Sequence, residues 1–148
     1  MKKVSIAAVF LTLALSLSGC LNDDGANFYY TTLPIESVET PDTLVYGETD
    51  SITVTYSIPN LCHQFAGIDF SNDTQSSDTI QKRTFWVVAQ AQTGDECEGA
   101  QSVIKEYKFG LEVRYRESYE LRFITGVDSD GEYTFITRTI PVKEEEEE

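Results

Sequence analysis

The sequence predicts an all-β chain: a single antiparallel β-sandwich of about seven to eight strands, after a cleaved signal peptide and a short tether. Three observations predict it. Between residues 35 and 142 apolar side chains mostly alternate with polar ones, the two-residue period of a strand buried on one face. These stretches are rich in Thr, Val, Ile, Tyr and Phe, and turn formers such as Pro59-Asn60 and Asp128-Ser129-Asp130-Gly131 punctuate them. No apolar stripe of helical period reaches a useful length. Short strands at this spacing form a sandwich, with a small barrel as the alternative.

The elements follow in order. Ile35 to Val38 and Thr43 to Tyr46 are short strands flanking Pro41-Asp42, and Gly47 turns the chain into the next. Ile52, Val54, Tyr56 and Ile58 alternate with Ser51, Thr53, Thr55 and Ser57, the cleanest strand in the chain. Phe65 to Phe70 is a shorter candidate. Thr84 to Gln92 sets Phe85, Val87, Ala89 and Ala91 on one face and Trp86 and Val88 on the other; Trp86 is expected in the core. Phe109, Leu111, Val113 and Tyr115 alternate with Glu112, Arg114 and Arg116, apolar in and charged out. Tyr119, Leu121 and Phe123 form the next strand. Asp128-Ser129-Asp130-Gly131 supplies a turn, and Tyr133 to Val142 is the last strand. Residues 143–148 end in the run Glu144–Glu148, which repels itself and is expected to be a disordered, solvated tail.

Pro-Asp-Thr-Leu-Val-Tyr-Gly-Glu-Thr (Pro41 to Thr49), the alternating strand after it, and Gly-Glu-Tyr-Thr-Phe (Gly131 to Phe135) running into Ile140 and Val142 resemble the Ig-like domains of bacterial surface lipoproteins. The resemblance covers most of residues 35–142. It implies an Ig-like sandwich and no particular activity, because its motifs belong to the fold.

The N-terminus has three parts: cationic Met1-Lys2-Lys3, an apolar stretch from Val4 to Leu17, and Leu17-Ser18-Gly19-Cys20. That order defines a secretory signal over residues 1–19, and the apolar stretch falls short of the roughly 20 residues of a membrane-spanning helix. Leu17-Ser18-Gly19-Cys20 resembles the lipobox of bacterial lipoproteins. The resemblance implies acylation of Cys20, palmitate included, and cleavage before it. Several acyl chains on one residue give durable attachment where a single chain gives marginal binding, at about 0.8 kcal/mol per buried methylene. Asp23-Asp24 resembles the acidic export signal of Bacteroidota lipoproteins, which implies an outer-membrane anchor with the cell surface favoured over the periplasmic face. Residues 20–34 then form an acidic, aromatic tether that includes Phe28-Tyr29-Tyr30.

The formal net charge is −14, with 25 acids against 11 Lys and Arg, and cleavage of the signal removes two of those lysines. A chain this acidic lacks the clustered cations that neutralise phosphates, which excludes nucleic acid as a partner. It also cannot hold an anionic membrane by charge.

Two cysteines remain besides Cys20. In an exported domain Cys62 and Cys97 are expected to form a disulfide, tying two loops at one end of the sandwich. His63, the single histidine, invites a reading as base or metal ligand beside Cys62, but no nucleophile elbow or zinc ligand spacing accompanies it. Asp95, Glu96 and Glu98 cluster beside Cys97 and are read as a solvated loop. Asp128 to Glu132 looks like the start of a calcium loop, yet the twelfth position, which closes such loops with Glu, is Thr139. Asp42-Thr43-Leu44, Asp50-Ser51-Ile52 and Asp78-Thr79-Ile80 resemble the Asp-Ser/Thr-aliphatic O-glycosylation acceptor of exported Bacteroidota proteins. That resemblance makes Thr43, Ser51 and Thr79 candidate acceptors.

The expected function is non-catalytic: a lipid-anchored, surface-exposed module with a binding, adhesive or structural accessory role. Its expected partners are the membrane, through the N-terminal lipid, and an envelope protein or glycan. No catalytic residue, metal site or cofactor is expected. The rivals are a small envelope hydrolase using loop carboxylates near His63 and Cys97, and a subunit of a larger outer-membrane complex.

Overall fold

Alternation becomes pairing along most of the chain. The computed structural model describes residues 28–75, 77–93 and 101–144; the signal segment, Cys20, Asp23-Asp24 and Cys97 lie outside them. Among the described residues there is no helix, and the strands are β1 (Phe28–Leu33), β2 (Ile35–Glu39), β3 (Leu44–Val45), β4 (Thr49–Ile58), β5 (His63–Asn72), β6 (Gln81–Gln92), β7 (Val103–Glu112), β8 (Tyr119–Val127), β9 (Tyr133–Ile140) and β10 (Val142–Lys143). The chain is all-β, arranged in three open sheets.

The largest sheet is built around β6. β5 pairs along one edge of β6, and the other edge is shared, with β8 against Gln81–Phe85 and β1 against Val87–Gln92. β9 extends this sheet beyond β8. A second sheet runs β2-β4-β7, and β10 pairs with β3 in a two-stranded third.

Several expectations need correction. The sheets are not wholly antiparallel: β6 and β8 run parallel, as do β3 and β10. The described residues form ten strands rather than seven or eight. Phe28–Leu33, read as tether, is a strand paired with β6. The final strand is broken at Pro141, which has no N–H to donate to a ladder; beyond it Val142–Lys143 crosses to β3. Trp86 is not in the core. It lies half-buried on the β6 face opposite Phe85, Val87 and Ala89, because that inward row already fills the space between the sheets.

One apolar cluster joins the sheets. β1, β6, β8 and β9 contribute Leu33, Phe85, Val87, Ala89, Tyr119, Leu121, Phe123 and Ile140, and β2, β4 and β7 contribute Ile35, Val38, Ile52, Val54, Tyr56 and Leu111. Register shifts set which side chains reach it, one of them in β2 between Ile35 and Ser37. In β5 the register shifts between Phe65 and Gly67, and in β8 between Ile124 and Gly126. Gly67 and Gly126 have φ of 153° and 150°, a backbone region that residues with a Cβ avoid. The β5 bulge inserts Ala66 and flips the parity of the strand. Phe65 therefore faces inward together with Ile68 and Phe70, three and five positions on.

Candidate functional site

The bulge has a consequence at the open side of the molecule. β5 and β7 are edge strands of different sheets, and a groove of about 490 Å³ lies between them, floored by β6. Ile68 and Phe70 from β5 line it, with Arg83 and Phe85 from β6. Tyr107, Phe109, Gly110, Leu111 and Glu112 from β7 form the opposite wall, and Arg114 and Tyr115 follow them.

Aromatic contacts shape its floor. The buried Phe85 ring lies 5.7 Å from Phe70, 5.4 Å from Phe109 and 5.3 Å from Phe123, the last stacked at 17°. Nearby, Phe65 packs at 5.2 Å on Tyr56 and 4.7 Å on Tyr107, bridging the two sheets. Such offset pairs add to the area they bury. Phe70 and Tyr107 remain exposed, so the aromatic wall reaches solvent.

Charge sits at one end. The Arg83 guanidinium lies 5.7 Å from the Phe70 ring and 5.3 Å from the Tyr119 ring, held by cation–π attraction. Among the described residues it forms no ion pair. Arg114 instead pairs with Glu112 at 2.6 Å on the exposed rim. That hydrogen bond, with a smaller contribution from the Arg83 charge, holds the Glu112 carboxyl below its usual range, and the same bond raises Arg114. A half-buried guanidinium with free donors beside aromatic walls can hold an anionic or hydroxyl-rich group while a flat apolar face stacks against the rings.

The residues singled out from the sequence fall elsewhere. His63 opens β5, and its Nδ1 lies 2.7 Å from Asn60 Oδ1, which also accepts the Cys62 N–H. Because that oxygen only accepts, Nδ1 is the donor in this contact. Cys62 is disulfide-bonded; Cys97, its expected partner, and the acids beside it lie outside the described residues. Among those residues no three His, Cys, Asp or Glu gather in a metal-binding group. Asp128 to Glu132 is the β8–β9 turn, in which Asp128 Oδ1 accepts the N–H of Asp130 and of Glu132.

The three glycosylation candidates are scattered. Thr43 is half-buried before β3, Ser51 is exposed in β4 opposite Gly110, and Thr79 is exposed before β6. Their neighbouring acids also serve the fold. Asp50 Oδ2 accepts the Val45 N–H, and Asp78 Oδ2 accepts the Gln75 N–H, which holds that carboxyl below its usual range with help from Lys82.

The groove residues went unnoticed in the sequence because they are spread over three strands and a loop. The available signal was the aromatic residues at Phe70, Phe85, Tyr107 and Phe109, whose shared face depends on the bulge. Compared with known protein families, curated proteins and solved structures, the chain matches none.

Proposed function

We propose that this chain is a lipid-anchored envelope lipoprotein acting as a non-catalytic binding module, with the groove between β5 and β7 as its ligand site. The groove carries the reading: exposed aromatic walls end at the Arg83 guanidinium, which forms no ion pair among the described residues and whose charge reaches the Glu112 carboxyl on the rim. The ligand class it suits is an envelope protein segment or glycan presenting a flat apolar face and an anionic or hydroxyl-rich group. The anchor is Cys20, and the Asp23-Asp24 pair after it favours the cell surface.

The fold proposed for the module is an Ig-like sandwich. Three features support it: the β2-β4-β7 sheet facing a β8-β9 hairpin, the shared core, and Tyr119. Tyr119 stands at the start of β8, and its hydroxyl accepts the N–H of Arg114 and of Tyr115, four to five residues upstream. That is the arrangement of the tyrosine corner in Ig-like domains. One feature departs from it: β6, not β5, lies against β8, and the two run parallel.

A photo-cross-linking amino acid at Tyr107 tests the ligand site on intact cells, with Thr53 on the polar face of β4 as control. The expected result is one reproducible protein or glycan adduct from position 107 and not from 53. Indistinguishable adducts from the two positions would remove the groove as the site.

A further inference from the structure

The two ends of the strands differ in chemistry. The Tyr56–Phe65–Tyr107 ring contacts mark one level across β4, β5 and β7. Beyond that level β4 ends at Ile58 opposite Val103, β5 begins at His63 opposite Ala91, and β1 begins at Phe28 opposite Gln92. These strand ends gather at one end of the molecule. Exposed apolar surface gathers there too: Leu61 is 81% exposed, Ile104 65% and Phe28 52%, with Tyr29, Tyr30 and Val103 beside them. The opposite end carries Glu48, Arg114, Arg116 and Glu117. Phe28 and Tyr30 lie on the outer face of the β1–β6 pair and Ile104 on the outer face of the β4–β7 pair, so these side chains ring the end from both faces, and exposed apolar groups placed so suit a surface that something covers.

The chain outside the described fold says what. Phe28 lies eight residues beyond Cys20, a span of at most about 29 Å when extended. We propose that this apolar end rests on the lipid bilayer itself, a seat that depends on the reading of Cys20 as lipidated. The anchor holds the end beside the bilayer at high effective concentration, so weak apolar contacts suffice to orient the domain. Tyr29 and Tyr30 suit headgroup depth, with an apolar ring and a polar hydroxyl. The contact is apolar and not electrostatic. Asp23 and Asp24 precede it, Asp95, Glu96 and Glu98 fall in the sequence between Gln92 and Val103, and Asp128, Asp130 and Glu132 lie in the turn that β8 carries toward this end, with Lys105 opposite Tyr56 as a cation on β7. A zwitterionic surface therefore fits it, and an anionic one is repelled. Seated this way, the domain points the Arg83–Arg114 end of the groove away from the bilayer.

Tryptophan quenching tests the seat. Full-length protein processed and lipidated in cells is reconstituted into phosphatidylcholine vesicles with brominated acyl chains. On a Trp86→Phe background it carries Leu61→Trp, Ile104→Trp or Tyr115→Trp. The expected result is blue-shifted, quenched emission at 61 and 104, and unquenched emission at 115. Quenching at 61 and 104 no greater than at 115 overturns the seat. Flotation of the same samples separates the two claims: protein that floats unquenched keeps its anchor and loses the seat, and protein that does not float loses both. A concentration-dependent dimer whose tryptophans at 61 and 104 are shielded without bromine quenching assigns the surface to a second copy instead, and also overturns the seat.

Discussion

Tyr119 does two jobs with one side chain. Its ring is fully buried among Leu121, Phe123 and the rest of the core, and its hydroxyl satisfies two backbone N–H groups of the β7–β8 connection. Tyr119→Phe keeps the ring and strands both donors, so it is expected to cost about 1–3 kcal/mol. Urea unfolding checks this against Tyr133→Phe, an exposed position expected to stay within about 0.5 kcal/mol. Glu112 offers a test by pH. Its pKa lies below the ordinary carboxylate value because of the bond from Arg114. A lowered folded pKa means that the pair's stabilisation is present above the ordinary value and is lost as pH falls through the lowered one. Carboxyl chemical shifts followed by NMR should show Glu112 titrating at lower pH than an ordinary Glu, and Arg114→Gln should move it back up. No upward movement would show that the bond is not the cause.

At the scale of elements, the β5 bulge decides the site. Without Gly67 at its positive φ, Phe65 and Phe70 would point to opposite faces, and the groove would lose either its bridge to Tyr107 or its Phe70 wall. Gly67→Val puts a β-branched residue into that region and is expected to destabilise by about 1–3 kcal/mol, with shifted NMR resonances at Phe70 and Phe85. Unchanged stability together with an unchanged spectrum would show that the bulge is not needed. The same bulge explains what the sequence could and could not convey. β4 was legible because Ile52, Val54, Tyr56 and Ile58 alternate without interruption over a buried face. The start of β7 was not, since Val103 to Lys108 is an exposed edge segment in which solvent accepts any residue and no alternation is enforced. β1 read as tether for the same reason, with Phe28, Tyr29 and Tyr30 exposed.

At the scale of the whole molecule, β-strand content follows from local periodicity, but partner choice does not. Nothing in Gln81–Phe85 announces a parallel neighbour at Tyr119–Phe123, because the pairing depends on how distant elements share the edges of β6. The groove inherits this non-locality, as its walls come from positions 68 to 115. The proposed anchor is the reverse case. Its signature is contiguous, Leu17-Ser18-Gly19-Cys20, and the proposed membrane attachment and bilayer seat depend on it. The proposed function places a groove on a domain held at a membrane by the lipid on Cys20. Intact-mass spectrometry of the protein extracted from membranes tests that claim most directly. A lipid anchor at Cys20 predicts a mature chain that lacks residues 1–19 and carries acyl mass at Cys20, while a chain that keeps Met1, or that begins at Cys20 with an unmodified thiol, would contradict it.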